Sequence, residues 1–391
     1  MTDQRLCVLN AGSSSLKFGV YTVENGLHPW QSGEVEGIGG MGRVVVTAAD
    51  GREVHKAGGH VPDHAAALAS IAAVREGPLS GCRMVAFGHR VVHGGPDHDQ
   101  PVLVDAETLL RIEALSPLAP LHNPPAVAVL KTLMHLYPSV PQVACFDTAF
   151  HRGHPAVADR FAIPDSLYRE GVRRYGFHGL SYEYIAGAMA DQAPEIALGR
   201  VVVAHLGSGA SMCALAGGRS VDSSMGFTAL DGLPMGTRSG SLDAGVILWL
   251  QQQKGWTVDQ VERFLYQDCG LKGLSGVSND MRVLLASDVP LAKLAVDYFV
   301  YHVVRMAGAL AASMGGMDGM VFTAGIGERS AEIRGRVLRR LVWLGFQIDE
   351  AANQAGGPLL TRPTSRVHAY VIPTNEEVVI ARHALALVRP G

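Results

Sequence analysis

Apolar residues come first in short runs along this chain and later at helical spacing. The stretches 6–9, 18–23, 43–47 and 84–87 are compact, apolar and parted by glycine-rich turns, so each predicts a strand. Helical patterns follow at 63–75 and 125–136, then a strand at 142–146 that ends in Asp147. Beyond about His178 helices dominate, with apolar residues every three or four positions in 242–252, 258–266, 291–314 and 331–341. Asn375 is a good N-cap, Glu376 and Glu377 suit the positive end of a helix, and the apolar run 378–387 completes it. Strands alternating with helices predict an α/β fold.

The pattern also repeats. Arg5-Leu-Cys-Val-Leu-Asn-Ala-Gly12-Ser13 aligns with Arg200-Val-Val-Val-Ala-His-Leu-Gly207-Ser208, half a chain later. Each is an apolar strand, a Gly/Ser turn and a second strand, at 16–23 and 211–216. Two halves that open alike predict duplicated domains facing each other across a cleft.

Composition narrows the classes. With 391 residues the chain is long enough for two or three domains. A net charge of −3 and the lack of any Lys/Arg run exclude a nucleic-acid binder. Glycine is abundant, 46 residues, without a collagen period and beside 48% apolar residues, so it marks backbone geometry in an ordered fold. Five scattered cysteines with no C-x-x-C pair predict a reducing compartment. No signal-peptide stretch opens the chain, and the long apolar region 291–322 is broken by Lys293, Asp297, His302 and Arg305. The expectation is a soluble, cytoplasmic protein with a buried helix there and no membrane partner.

Candidate chemistry lies in the turns. In Asn10-Ala-Gly-Ser-Ser-Ser-Leu-Lys17, backbone N–H groups, three hydroxyls and an ammonium suit a polyphosphate, and His205-Leu-Gly-Ser-Gly-Ala-Ser211 offers a second cradle. Either is also an ordinary hairpin turn. Phe322-Thr-Ala-Gly-Ile-Gly-Glu-Arg-Ser330 places glycines at a strand's carboxyl end, where open α/β sheets bind nucleotides. Gly37-Ile-Gly-Gly-Met-Gly42 has dinucleotide-motif spacing, but a strand follows where that motif needs a helix. His89-Arg-Val-Val-His93 reads as strand with structural histidines; a metallohydrolase using Asp97, His98, Asp99, His151 and His154 comes last. Arg90 and Arg238 sit among apolar residues and tight glycines, suited to grip a carboxylate or phosphate. Asp147 and Glu376 are possible magnesium-side carboxylates, Glu376 being equally explained as a helix-start residue.

Ten ordered blocks, 10–17, 88–95, 119–124, 146–148, 174–181, 205–211, 235–240, 278–282, 322–328 and 373–377, together resemble the acetokinase family of the actin, heat-shock ATPase and sugar-kinase superfamily. The resemblance implies a duplicated actin-like (ribonuclease H-like) α/β fold of two domains with an ATP cleft between them. One domain would span 1–148 and be completed by a C-terminal helix at 377–391. The other, 149–376, would carry most of the ATP site. The implied reaction is reversible, Mg2+-dependent transfer of the ATP γ-phosphoryl group to acetate, giving acetyl phosphate and ADP. Direct in-line attack is implied, with Mn2+ as a substitute metal and a homodimer as the assembly.

Carried over to this chain, the resemblance implies that Asn10 and Glu376 hold the metal and that Lys17 lies near the phosphates. His205, Leu206, Gly207, Ser208, Gly209, Asp280, Met281, Arg282, Gly325, Ile326, Gly327, Glu328 and Arg329 line the ATP site. Arg90 binds the carboxylate, Asp147 is the catalytic acid, His178 and Arg238 stabilise the transition state, and Val92, Leu121 and Phe177 form the methyl pocket. Six positions depart from the family pattern: Leu180, Tyr182, Ser208, Ala229, Ser241 and Arg329. Acetate is already an anion at neutral pH, so Asp147 is expected to organise charge more than to abstract a proton. The alternatives are a propionate or butyrate kinase of the same family and, in another class, an actin-like ATPase, which has no need of a carboxylate-binding arginine.

Overall fold

A computed structural model describes residues 3–74 and 77–389. Arg75, the last residue of the first expected helix, and 390–391, the end of the expected C-terminal helix, lie outside the described residues. The chain divides into two compact units, Met1–Phe150 with Asn375–Gly391, and His151–Thr374.

The first unit is built on eight strands: β1 (Gln4–Ala11), β2 (Ser15–Thr22), β3 (His28–Glu36), β4 (Gly40–Ala48), β5 (Glu53–Val61), β6 (Arg83–Val91), β7 (Val102–Leu103) and β8 (Gln142–Phe146). Their order in the sheet is β5-β4-β3-β2-β1-β6-β8-β7. The first five form an antiparallel meander, β6 joins β1 in parallel, and β8 joins β6 in parallel. The central strands are apolar on both sides because helices cover both faces. Phe87 meets Val129 and Leu133 in one core cluster, which also takes in Leu68 and Ile71. Those residues come from α1 (His64–Ala72), capped by Asp63, and α3 (Asn123–Leu136), which follows α2 (Ala106–Ala114). The neighbouring Gly88 points the other way, towards the C-terminal helix (Glu376–Val388); a Cβ there would lie 2.7 Å from Ile380 Cγ2, so glycine permits the close approach.

The second unit holds β9 (Arg200–Leu206), β10 (Ala210–Ala216), β11 (Arg219–Ser223), β12 (Gly319–Thr323) and β13 (His368–Val371), in the order β11-β10-β9-β12-β13. β9–β10–β11 is an antiparallel meander, and β12 and β13 add in parallel. Five consecutive strands of the first sheet, β3-β2-β1-β6-β8, have the same order and directions. The duplicated opening seen in the sequence is therefore one corner of a duplicated sheet, within an α/β fold.

Helices of this unit are α4 (Asp165–Arg169), α5 (Gly179–Gln192), α6 (Ala244–Lys254), α7 (Val258–Arg263), α8 (Gly270–Ser275), α9 (Met281–Leu285), α10 (Pro290–Ser313), α11 (Ala324–Arg329), α12 (Ala331–Arg340) and α13 (Glu350–Ala355). α10 is the expected long apolar helix and is buried on one face only, through Ala292, Ala295, Phe299, Val303 and Leu310. Leu291, Leu294 and Tyr301 are exposed on it.

Some elements differ from expectation. The helix expected at 125–136 begins at Asn123, because prolines at its first turn have no N–H to lose. The one expected at 258–266 is α-helical only to Arg263 and widens into a π turn at Phe264–Asp268. The glycine-bearing segment 322–330 at the carboxyl end of β12 is itself helical over Ala324–Arg329, as α11. Gly37–Gly39 is the tight β3–β4 connection, with Gly37 at φ +74° and Gly39 at φ +99°, and Gly40–Gly42 already belongs to β4, so the segment is not a phosphate loop.

Candidate active site

In the first unit three strands end together. β1 ends with Asn10 and Ala11, β6 with Arg90 and Val91, and β8 runs into Asp147, whose amide donates to Val91 O at 3.1 Å. Carboxyl ends of parallel strands are where such sheets place ligands. Arg90 Nε and Nη2 donate to the two carboxylate oxygens of Asp147 at 3.0 and 2.6 Å, a bidentate pair in which Asp147 is 1% exposed. The third guanidinium nitrogen, Nη1, lies 3.5 Å from Asn10 Oδ1 and 3.6 Å from Glu376 Oε2. Burial pushes the Arg90 guanidinium down, but the Asp147 and Glu376 carboxylates outweigh it and hold the group above its ordinary value. Glu376 arrives on the C-terminal helix, where Asn375 is the N-cap and accepts from Val378 N. Lys17 stands opposite Asn10 in the β1–β2 register, half exposed and 3.9 Å from Glu34. Val92 and Leu121 belong to this unit, Val92 buried and Leu121 partly so.

The nearby histidines are structural. His89 Nε2 bonds Gln142 Oε1 at 2.8 Å, and burial lowers its pKa to about 4. His93 Nδ1 accepts from Gly95 N. Among the described residues no three His, Cys, Asp or Glu side chains group as a metal cage.

The second unit presents a different set. His178 precedes α5 with φ +57°, a left-handed conformation uncommon for a residue with a side chain. Its ring stacks on His205, centroids 4.1 Å apart. Arg238 is anchored by Nη1 donating to Ala229 O at 2.7 Å, in a loop pinned by Gly236 N to Ser208 O and Cys269 N to Thr237 O. Gly209 keeps space between the two: a Cβ there would lie 2.7 Å from Arg238 Nη2 and 3.4 Å from His178 Nε2. Phe177 is fully buried in this unit.

Beside these residues lies a cavity of about 790 Å³ lined by Gly207, Ser208, Asp280, Met281, Arg282, Gly325, Ile326 and Arg329, the size of a nucleotide-scale pocket. Asn279, Leu285, Ala286 and Ser330 also line it. Asn279 lies in the block 278–282 and Ser330 ends the motif 322–330, whereas nothing in the sequence marks Leu285 and Ala286, which reach the wall because α9 is a short helix starting at Met281. Five residues expected in the ATP site, His205, Leu206, Gly209, Gly327 and Glu328, are not part of this wall. Glu328 is used internally: its Oε1 accepts from Ala324 N at 2.8 Å, Thr374 N at 3.2 Å and Thr323 Oγ1 at 3.4 Å, clamping the strand–helix joint where Ala324 takes φ +63°.

Most departures from the family pattern have a local account. The carbonyl of Ala229 anchors Arg238, and any residue at this position supplies it. Ser241 Oγ donates to Asp231 Oδ1 at 2.7 Å, where a second carboxylate would meet repulsion. Leu180 and Tyr182 are buried, and Ser208 and Arg329 border the cavity.

One unit carries a carboxylate-held arginine among oxygen donors, and the other a nucleotide-sized cavity and, around Gly209, a histidine–arginine pair. Such equipment belongs to a phosphotransferase. The acetokinase family's sequence profile matches residues 5–382, and the chain belongs to that family. It is 54% identical to an acetate kinase of Nitrobacter hamburgensis over 98% of this chain and 96% of the relative. It is similar in structure to the acetate kinase of Porphyromonas gingivalis, with 34% identity, a TM-score of 0.87 and coverage of 99% of this chain and 100% of that one. It is equally similar to a propionate kinase of Francisella tularensis, with 36% identity, a TM-score of 0.89 and coverage of 97% and 98%.

Proposed function

We propose that this enzyme transfers the γ-phosphoryl group of ATP reversibly to acetate, giving acetyl phosphate and ADP by direct in-line attack. The observation that carries the reading is Arg90, a guanidinium fixed by a buried aspartate beside further oxygen donors. Acetate is a carboxylate at neutral pH, so the difficulty is its repulsion from the phosphates, not its deprotonation. Arg90 neutralises and orients the acceptor, while Asp147 holds Arg90 rather than taking a proton. On the other side of the reaction, Arg238 and His178 stabilise charge on the phosphoryl group in flight, and the cavity walled by Gly207, Asp280, Ile326 and Arg329 takes the nucleotide. Lys17 adds positive charge near the phosphates, and Val92, Leu121 and Phe177 receive the acyl methyl.

Asn10 Oδ1 and Glu376 Oε2 approach one guanidinium nitrogen, so the two oxygens stand near each other. One carboxylate and one amide oxygen form a hard donor set suited to Mg2+, or Mn2+, which completes its shell with water and phosphate oxygens. Bound there, the cation would neutralise phosphate charge. Exposed Val246, Leu248 and Trp249 on α6 and Leu291, Leu294 and Tyr301 on α10 support a homodimer. A cytoplasmic location follows from the cysteine usage and the substrates.

Ala229 in place of the family's usual proline favours a second reading, a somewhat roomier pocket that takes propionate. One methylene changes binding by only ~1–3 kcal/mol, so chain length is a matter of degree. Trapping acyl phosphate as hydroxamate, with ATP and C2 to C4 carboxylates, tests both. Acetate or propionate turnover supports the reading; ATP hydrolysis without hydroxamate refutes it.

A further inference from the structure

Behind the stacked rings of His178 and His205 run two chains of hydroxyls. His178 Nδ1 lies 2.7 Å from Ser211 Oγ, and the Tyr182 hydroxyl bonds the same oxygen. His205 Nδ1 lies 2.8 Å from Ser181 Oγ, which donates to Thr374 Oγ1 at 2.9 Å. Tyr182, Ser211 and Ser181 are all fully buried. These serines face the rings from two elements, Ser211 from β10 and Ser181 from α5.

A serine hydroxyl has one proton, so each chain has a direction. Ser181 gives its proton to Thr374 and therefore accepts from His205, whose Nδ1 carries a hydrogen. In the other chain the phenol is the stronger acid and the serine the better acceptor, so the cooperative order is Tyr182 O–H to Ser211, and Ser211 O–H to His178 Nδ1. An accepting Nδ1 leaves the proton of the neutral ring on Nε2.

We propose that the two hydroxyl chains fix the stacked histidines in opposite tautomers, His178 protonated on Nε2 and His205 on Nδ1, which makes Ser211 and Tyr182 positioning residues for phosphoryl transfer. The link to transfer rests on the function proposed above; the tautomers do not. His178 Nε2 borders the space that Gly209 keeps beside Arg238. A neutral imidazole thus offers an N–H donor next to the guanidinium, without placing a second cation in the stack.

The test is a long-range proton–nitrogen correlation spectrum of the full-length protein labelled with nitrogen-15 histidine, the two rings being assigned by His178→Gln and His205→Gln. The expected spectrum shows Nε2–H for His178 and Nδ1–H for His205. Ser211→Ala should shift His178 towards the other tautomer and lower kcat by about 10- to 100-fold, with both KM values within about twofold. Ser211→Thr, which keeps the hydroxyl, should restore both, and Ser181→Ala should move the His205 signature alone. Nδ1-protonated His178 in the wild type, or an unchanged tautomer in Ser211→Ala, overturns the proposal. If Ser211→Ala does not fold, Tyr182→Phe is read in the same way, and an unchanged His178 signature there removes the relay. A wild type with the expected tautomers but no kinase activity supports the tautomer assignment and overturns the functional reading alone.

Discussion

Replacing Asp147 by asparagine separates charge organisation from proton transfer. The side chain keeps its shape and one hydrogen bond to Arg90, but the carboxylate that meets Nε and Nη2 at 3.0 and 2.6 Å is gone. Charge centres about 4 Å apart interact by about 4 kcal/mol at an effective dielectric of about 20. The surviving amide contact returns about 1 kcal/mol of this. About 3 kcal/mol of the alignment of Arg90 is lost, which at 1.36 kcal/mol per decade is roughly a hundredfold in kcat/KM for the carboxylate. Glu376, 3.6 Å from Nη1, would then draw the guanidinium towards itself, so the acceptor is misplaced and not merely held more weakly. Steady-state hydroxamate kinetics from pH 6 to 9 should show the same deficit throughout, with KM for ATP within about threefold of wild type. Recovery of rate with rising pH, or rescue by an added small base, would refute this reasoning and make Asp147 a proton carrier.

Further outcomes follow from the same geometry. Gly209→Ala should leave the protein folded, since the clash is with the far end of the Arg238 side chain, yet lower kcat about 10- to 100-fold by displacing that guanidinium. A kcat within twofold of wild type would show that the space is not used. Burial holds His89, His151 and His154 at pKa values of about 4, 3 and 4. The unfolded chain binds protons in the window from pH 6.5 down to about 4 that the folded chain refuses, so stability falls as pH falls through it. At pH 5 each histidine contributes about 2 kcal/mol of this loss, so urea midpoints should drop clearly between pH 7 and pH 5, and a flat profile would contradict it. Ala229→Pro should move acyl preference towards acetate while leaving kcat with acetate within a few fold, because the carbonyl that anchors Arg238 is retained; unchanged selectivity would remove position 229 from the pocket.

Local signals of the fold were legible where one residue decides the outcome. Asp63 and Asn375 cap helices that begin where their side chains suggest, and the uninterrupted apolar run at β8 reads as a strand buried on both sides. The β1–β2 and β9–β10 hairpins stood out because both halves use the same strand, Gly/Ser turn and strand. β3 and β5 carry polar and small residues through most of their length and show no strand pattern of their own; pairing makes them strands, β3 between β2 and β4 and β5 at the sheet edge against β4. α11 has no pattern in the sequence because Ala-Gly-Ile-Gly has no helix preference of its own; Glu328, reaching back to Ala324 and across to Thr374, holds it. At the candidate site, chemistry was visible one residue at a time. Arg90 and Asp147 each drew notice, but no spacing in the sequence announces that residues 57 apart form one bidentate pair. Ser181, Tyr182 and Ser211 fall in segments the sequence singles out, but nothing there announces that their hydroxyls face the rings of His178 and His205, because a buried serine looks the same whether or not an imidazole faces it.

The most direct test of the account is the kinetics of Arg90→Ala with acetate and ATP varied independently. Loss of the guanidinium should raise KM for acetate and lower kcat together, reducing kcat/KM for acetate by at least a hundredfold, while nucleotide affinity stays within about threefold. An unchanged KM for acetate, or a defect confined to ATP, would contradict the assignment of Arg90 as the group that receives the carboxylate.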